Sequence, residues 1–137
     1  MDGKLFTLEE ANRLLPLVRA IARDAVRRYR DAKRAILDLE GLKARVAAGA
    51  PVRREELEAQ DAAVAAHLDE LRRLVDELEA LGCRLRDYER GVVDFPAATF
   101  GDDGFLVYCW ALGEESVRHW HSEQEGFDER RLLETTA

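Results

Sequence analysis

The residue types that most often bind metal ions in proteins are concentrated in the last third of this sequence. Two of the three histidines, His119 and His121, lie there among glutamates. If a helix begins at Glu114, side chains four positions apart share a stripe, so Glu115 and His119 face the same side. Carboxylate and imidazole groups together suit zinc, iron or manganese. The pattern therefore predicts a divalent-metal site, with Glu114, Glu115, His119 and His121 as candidate ligands.

The spacing of these residues leaves two other interpretations open. On an ideal helix His119 and His121 point about 200° apart, so they reach one ion only if the helix ends near Trp120 or the segment is extended. A charged, solvated helix with two surface histidines explains the same composition. A direct acid or base role without a metal ion is the third interpretation.

Two residues in β-favouring segments could add to such a site. Asp94 lies between Val93 and Phe95, where a carboxylate needs a partner: backbone amides, an arginine, or a metal ion or ligand imidazole. Cys109 alternates with Trp110, so their side chains face opposite sides of a sheet. A Cys109 thiolate could complete a zinc site with the two histidines. Because no second cysteine lies at a metal-binding spacing, we expect Cys109 to be a small buried hydrophobe.

Heptad spacing of apolar residues predicts two long helices ahead of this region. The first begins at Thr7, whose hydroxyl starts a Thr-x-x-Glu capping box, and it ends at the Gly49-Ala50-Pro51 stop signal. Pro16 predicts a kink near residues 12–15. The second helix runs from about Arg54 to about Tyr88. Their similar lengths and short connection predict an antiparallel, coiled-coil-like helical hairpin.

The apolar stripes of this hairpin are wider than one partner helix can cover. Two helices cannot enclose a core by themselves, so we expect a four-helix assembly formed by a homodimer. The first helix is rich in arginine and the second is acidic, which suits their pairing within the hairpin.

The period of the apolar residues changes after Gly91. Residues 92–96 and 105–110 are β-favouring runs joined through residues 101–104, which predicts a β-hairpin. Pro96 restricts its strand to an edge or a bulge. A short polar helix over residues 114–125 follows. The predicted fold is mainly α: one domain over residues 1–137, with the helical hairpin at 7–90 and the β-hairpin and Glu/His segment at 91–137.

Composition excludes several classes of protein. With 137 residues, 47% of them hydrophobic, the chain suits one ordinary domain and is too apolar for wholesale disorder. No apolar run approaches the length of a membrane span, and residues 1–10 have no signal-peptide core, so we expect a cytoplasmic protein without a membrane partner. The arginine-rich first helix could bind the phosphate backbone of a nucleic acid, but the net charge of −7 argues against nucleic-acid binding.

Short motifs at both ends of the chain carry a family resemblance. They are residues 6–12 with Leu14-Leu15-Pro16, residues 91–96, Cys109-Trp110, Gly113-Glu114, Trp120-His121, and Gly126-Phe127 with Arg130. Together they resemble a small bacterial family known as domain of unknown function 2203. The resemblance implies that Glu9, Glu10 and Asn12 belong to the same signature as Asp94, Glu114 and His121. Since an antiparallel hairpin returns the chain to its start, we expect the two groups to meet.

Our leading hypothesis is therefore a divalent-metal site where the first turns of helix one meet the Glu/His segment. The candidate ligands are Glu10, Asp94, Glu114, Glu115, His119 and His121. Any catalysis would be metal-assisted, and the sequence does not choose between hydrolytic and redox chemistry. The rival hypothesis is a non-enzymatic interaction module, in which the coiled coil dimerises and the tryptophan-bearing face docks a partner protein.

Overall fold

The structure, a computed structural model, describes residues 3–102 and 104–133. Two long helices precede five strands in the chain. The helices are α1 (Leu8–Ala47) and α2 (Arg54–Ala80), and the strands are β1 (Arg84–Asp87), β2 (Val92–Gly101), β3 (Gly104–Ala111), β4 (His119–Ser122) and β5 (Arg131–Leu132). A single 3-10 turn, Phe127–Glu129, lies between β4 and β5. Neither helix carries an apolar stretch that could cross a bilayer within these described ranges.

Helix α1 begins and ends where its local signals predict. The Thr7 hydroxyl accepts a hydrogen bond from the Glu10 amide at 3.1 Å, and the Glu10 carboxylate accepts one from the Thr7 amide at 2.9 Å. This reciprocal capping box satisfies two amides that the first helical turn cannot. The helix continues through Pro16 and stops before Gly49, whose φ of 81° glycine adopts readily. The kink near residues 12–15 stays a prediction.

Helix α2 ends at Ala80, so the prediction that it reaches Tyr88 was wrong. Gly82 adopts a φ of 94°, and the Cys83 amide donates back to the Leu78 carbonyl at 3.0 Å. That arrangement terminates a helix and redirects the chain. Leu85, which fits the helical heptad seam, instead lies in strand β1 and is buried against the core.

The two helices pack together as an antiparallel hairpin. Gln60 donates to the Ala35 carbonyl at 3.0 Å, and His67 of α2 lies 3.1 Å from Arg28 of α1. From Gln60 to His67 the residue number rises along α2, while that of the contacted residue falls from Ala35 to Arg28 along α1, so the helices run in opposite directions. This part of the predicted fold is confirmed.

The C-terminal third forms a five-stranded antiparallel sheet, which is more β-structure than the sequence predicted. The strands pair in chain order from β1 to β5. The predicted hairpin between β2 and β3 is confirmed, although Asp103 of its turn lies outside the described residues. The pairing register of β2 shifts after Pro96, as a bulge at that proline requires. The fold is therefore a helical hairpin joined to a five-stranded meander sheet, so it is not purely α.

The predicted helix over residues 114–125 was also wrong. Residues 119–122 form β4, which pairs with residues 106–109 of β3. The sequence His-Trp-His-Ser alternates between the two faces of the sheet, so each histidine lies beside a residue of β3 on one face. Neighbour pairing, rather than local helix propensity, decides the conformation of this segment.

The two faces of the sheet bury different chemistry. Val93, Phe95 and Trp110 belong to the core that packs against the helices. The opposite face carries Asp94, Cys109, His119 and His121, because Asp94 pairs with Cys109 and Cys109 pairs with His119. Phe127 covers part of this second face. Trp110 and Trp120 belong to the helix-facing side, so they lie on the other side of the sheet from these polar residues.

Candidate metal centre

Three potential ligands lie side by side on the face of the sheet that points away from the helices. Asp94 of β2, Cys109 of β3 and His121 of β4 each offer one ligand atom, and these atoms lie within 4.8 Å of one another. The three residues are 5%, 0% and 1% exposed, respectively. Because each comes from a different strand, only the pairing register of the sheet brings them together.

Hydrogen bonds fix the protonation of His121. Its Nδ1 atom lies 2.7 Å from the Ser122 carbonyl, and its Nε2 atom lies 3.3 Å from Oδ1 of Asp94. A carbonyl oxygen only accepts, so Nδ1 carries a proton. Nε2 then faces a carboxylate oxygen, an arrangement that needs either a second proton or a cation between the two atoms. Hydrogen bonding to Asp94, and then to Cys109, raises the pKa of His121 to about 10.

Two arginines border the cluster. The Nη1 atom of Arg86 lies 3.5 Å from Oδ2 of Asp94, so the two oxygens of that carboxylate face an imidazole and a guanidinium. Arg130 interacts with the Cys109 side chain. The cluster is therefore a buried carboxylate, thiol and imidazole with cationic groups at its edges.

Glu114 and His119 form a neighbouring group instead of joining the cluster. The two terminal nitrogens of the Arg130 guanidinium, Nη1 and Nη2, donate to the Glu114 carboxylate, and the Ala111 amide donates to it at 2.9 Å. Partial burial opposes ionisation, but these bonds hold the pKa of Glu114 below its ordinary range. Burial, followed by the charge of Arg130, lowers the pKa of His119. Its Nδ1 atom lies 3.9 Å from Glu114 and finds no hydrogen-bond partner among the described residues.

The other two candidate ligands lie away from the cluster. Glu10 is held in the capping box and lies 3.6 Å from the Lys4 ammonium. Glu115 is exposed, and its backbone carbonyl accepts a hydrogen bond from Arg19. Of the six candidates, the structure thus brings together Asp94 and His121, places Glu114 and His119 nearby, and leaves Glu10 and Glu115 out of both pairs.

The start of α1 does meet the C-terminal segment, through Asn12. The Asn12 side chain accepts from the Val117 amide at 2.7 Å and donates to the Val117 carbonyl at 3.2 Å. These bonds join α1 to the loop that leads into β4. Asn12 therefore positions the backbone next to the cluster and offers no ligand to it.

Sequence reasoning gave too little weight to Cys109 and did not single out Arg86. The expectation that Cys109 is buried is confirmed, but its side chain lies beside Asp94 and His121 as well as beside apolar residues. The available signal was the alternation of strand side chains: Cys109 faces away from Trp110 and hence away from the helix-packed core.

Comparison with known proteins identifies a family. Residues 4–133 match the model of the uncharacterized conserved protein family DUF2203. Since this match covers nearly the whole chain, the chain belongs to that family, and the resemblance noted in its sequence is confirmed. No curated protein and no solved structure matches the chain.

Proposed function

We propose that this member of the DUF2203 family binds one divalent metal ion, of the zinc class, through Asp94, Cys109 and His121. A thiolate, an imidazole and a carboxylate together are a donor set that zinc prefers. The proposal keeps Asp94 and His121 from the candidates based on sequence and replaces the other four with Cys109. The observation that carries it is the convergence of three buried ligand atoms, one each from Asp94, Cys109 and His121, within 4.8 Å of one another.

The second nitrogen of His121 supports the same proposal. Histidines that bind metals commonly donate their other N–H to a backbone carbonyl, which fixes the tautomer and the ring orientation. The bond from His121 Nδ1 to the Ser122 carbonyl does this and leaves Nε2 as the ligand atom. The buried charge also balances, because one divalent cation neutralises the Asp94 carboxylate and a Cys109 thiolate.

Three protein ligands leave one position of a tetrahedral ion open. Structural zinc sites fill all four positions with protein atoms, whereas catalytic sites keep one position for water or substrate. The geometry thus favours a centre that binds a further molecule. A bound zinc ion would act as a Lewis acid and would lower the pKa of a coordinated water.

Elemental analysis of protein purified without an affinity tag or chelator tests the proposal. We expect about one zinc ion per chain, and binding to the apoprotein should release about two protons, one from the thiol and one from the imidazolium. Isothermal titration calorimetry in buffers of different ionisation enthalpy counts these protons. Substoichiometric metal in protein that also fails to bind added zinc would contradict the proposal.

A matched pair of cysteine variants locates the site. Cys109→Ser should weaken zinc binding by more than about 100-fold, beyond the effect typical of outer-shell residues. Cys83→Ser should bind zinc as the parent does, since Cys83 is equally buried but lies outside the cluster. Equal affinities for the two variants would rule out Cys109 as a ligand.

We propose, as a second function, that the chain forms a homodimer through the distal half of the helical hairpin. Among the described residues, the apolar core shared with the sheet reaches α1 as far as Tyr29, whose ring contacts Tyr88, and α2 from Leu71 onward. Beyond it the two helices have only each other as cover, and Leu37 and Leu68 are 65% and 41% exposed. We therefore restrict the interface of the homodimer expected from the sequence to this half of the hairpin.

Light scattering at low micromolar concentration tests self-association. We expect a dimer for the parent, and a monomer for Leu68→Glu because a buried carboxylate would oppose the interface. Leu17→Glu is the matched control: Leu17 is equally exposed but lies in the half of α1 that packs against the sheet core. A well-folded parent monomer would refute the dimer.

A further inference from the structure

We propose that the open position of this metal centre takes a small oxyanion, a carboxylate or a phosphate, with Arg86 as the residue that binds its outer oxygens. The inference rests on the proposed metal site. It assigns a ligand class to that site, and it assigns a binding role to a residue that offers no atom to the metal.

A cavity adjoins the cluster on its open side. Its volume is about 160 Å³, and its lining residues are Arg86, Asp87, Val92, Asp94, His121 and Phe127. Two of the three proposed ligands, Asp94 and His121, thus face this cavity, whereas Cys109 does not line it. The free position of an ion held by all three residues would therefore point into the cavity.

The position of Arg86 is set by an irregularity in β1. Leu85 pairs with Val93 and Asp87 pairs with Val92, so Arg86 is an extra residue that the ladder leaves unpaired. Bulges of this kind redirect side chains next to functional sites. Here the Arg86 guanidinium lies beside Asp94, and its side chain remains 38% exposed at the mouth of the cavity.

Metal binding would free Arg86 for a ligand. In the structure its guanidinium pairs with the Asp94 carboxylate at 3.5 Å. Once that carboxylate donates to a metal ion, its charge is neutralised and the arginine can turn its planar donor fork to another anion. An oxyanion has the matching geometry. One phosphate oxygen can reach the metal while two others accept from the guanidinium, and a carboxylate can divide its two oxygens between the metal and the guanidinium.

The remaining groups around the cavity favour a small anion. Asp87 is the other acidic residue in its lining, and its carboxylate already accepts from the amides of Glu89 and Arg90. The guanidinium carbons of Arg130 and Arg90 lie 4.1 Å and 5.0 Å from the centre of the Phe127 ring. A cavity of about 160 Å³ has room for a phosphate or a short carboxylate.

Cobalt substitution separates the metal site from the anion site. The absorption bands of protein-bound Co²⁺ report its ligands, so a thiolate band tests the metal centre before any anion is added. Sodium phosphate is then titrated, with sodium chloride at matched ionic strength as the control. We expect a saturable change in the cobalt d–d bands with phosphate, repeated with acetate, and none with chloride.

Variants of β1 test the role of Arg86. Arg86→Gln should retain cobalt and lose at least about tenfold in phosphate affinity, the value of one charge-assisted hydrogen bond. Arg86→Lys keeps the positive charge but lacks the planar pair of donors, so its phosphate affinity should lie between those of the parent and of Arg86→Gln. Arg73→Gln, at an exposed position of α2 outside the cavity lining, is the control for loss of an arginine and should bind phosphate as the parent does.

Each outcome decides a different point. If the parent shows no cobalt–thiolate band, the metal site is wrong and the anion site falls with it. If cobalt binds but phosphate and acetate leave its spectrum unchanged, only the anion site is wrong. If Arg86→Gln and Arg86→Lys respond to phosphate as the parent does, an anion binds but Arg86 does not hold it.

Discussion

Replacing His121 by alanine is expected to lower the free energy of unfolding of the metal-free protein by about 3–5 kcal/mol near pH 6. This is the range measured when one partner of a buried ion pair is removed. The Asp94 carboxylate would remain almost fully buried, with Arg86 at 3.5 Å as its nearest cation. Urea unfolding of the parent and of His121→Ala, both in the presence of a chelator, measures the difference.

The difference in the free energy of unfolding between the parent and His121→Ala should decrease as the pH rises. The pKa of His121 is raised from 6.5 to about 10, so the native state keeps a proton that the unfolded state loses between these values. Its contribution to stability is fully present below about pH 6.5 and is lost as the pH rises through about 10. The difference between parent and variant should therefore shrink by up to about 1.4 kcal/mol per pH unit in that window. Burial raises the pKa of Cys83 to about 12, but this thiol is common to both proteins and cancels.

His119→Ala is the control for this prediction. His119 shares a sheet face with His121, but burial and Arg130 lower its pKa. Its contribution is therefore present above its ordinary pKa and is lost as the pH falls, which is the opposite direction. If the two alanine variants show the same pH dependence, the ion pair between His121 and Asp94 does not control the stability of this face.

The elements that the sequence predicted correctly are those specified by local signals. The capping box at Thr7 and the stop at Gly49 involve residues within a few positions of one another, and the structure has both. The β2–β3 hairpin likewise follows from two β-favouring runs and a glycine-containing turn. These signals depend on backbone sterics and neighbouring hydrogen bonds, so they act in the same way whatever the rest of the chain does.

The errors arose where one pattern fits two structures. Leu85 lies seven residues after Leu78, which suits a heptad seam, yet a strand that starts after Gly82 buries Leu85 equally well. Residues 119–122 are polar enough for a surface helix, but their alternation is also that of a strand. In both cases long-range pairing with β2 or β3 decided the outcome, and a single sequence does not contain the pairing register.

The same limit explains why two of the three proposed ligands were predictable and the third was not. Asp94 and His121 stand out because an acid and an imidazole in apolar surroundings need partners. Cys109 joins them only because β3 lies between β2 and β4 in a register that puts all three side chains on one face. A shift of one residue would turn Cys109 towards the helices and Trp110 towards the acid.

The separation of the two faces leads to a prediction about the tryptophans. Trp110 is fully buried between the sheet and the helices, and its indole N–H donates to the Glu114 carbonyl at 3.0 Å. Trp110→Ala should therefore cost about 3–5 kcal/mol in the free energy of unfolding, as is typical of large core residues. Trp120 is half-buried on the same face and lies 4.7 Å from Arg131. Its truncation should cost less, because less of its surface leaves water on folding.

Zinc content distinguishes this arrangement from one in which the tryptophans enclose the metal. Both side chains project from the sheet towards the helices, whereas Asp94, Cys109 and His121 project from the other face. Trp110→Ala and Trp120→Ala should thus keep the zinc stoichiometry of the parent as long as each variant is folded. Urea unfolding shows whether the variant is folded, and elemental analysis of the same sample gives its zinc content. Loss of zinc from folded Trp120→Ala would mean that the indole shields the ion, and the assignment of the centre to the outer face of the sheet would be wrong.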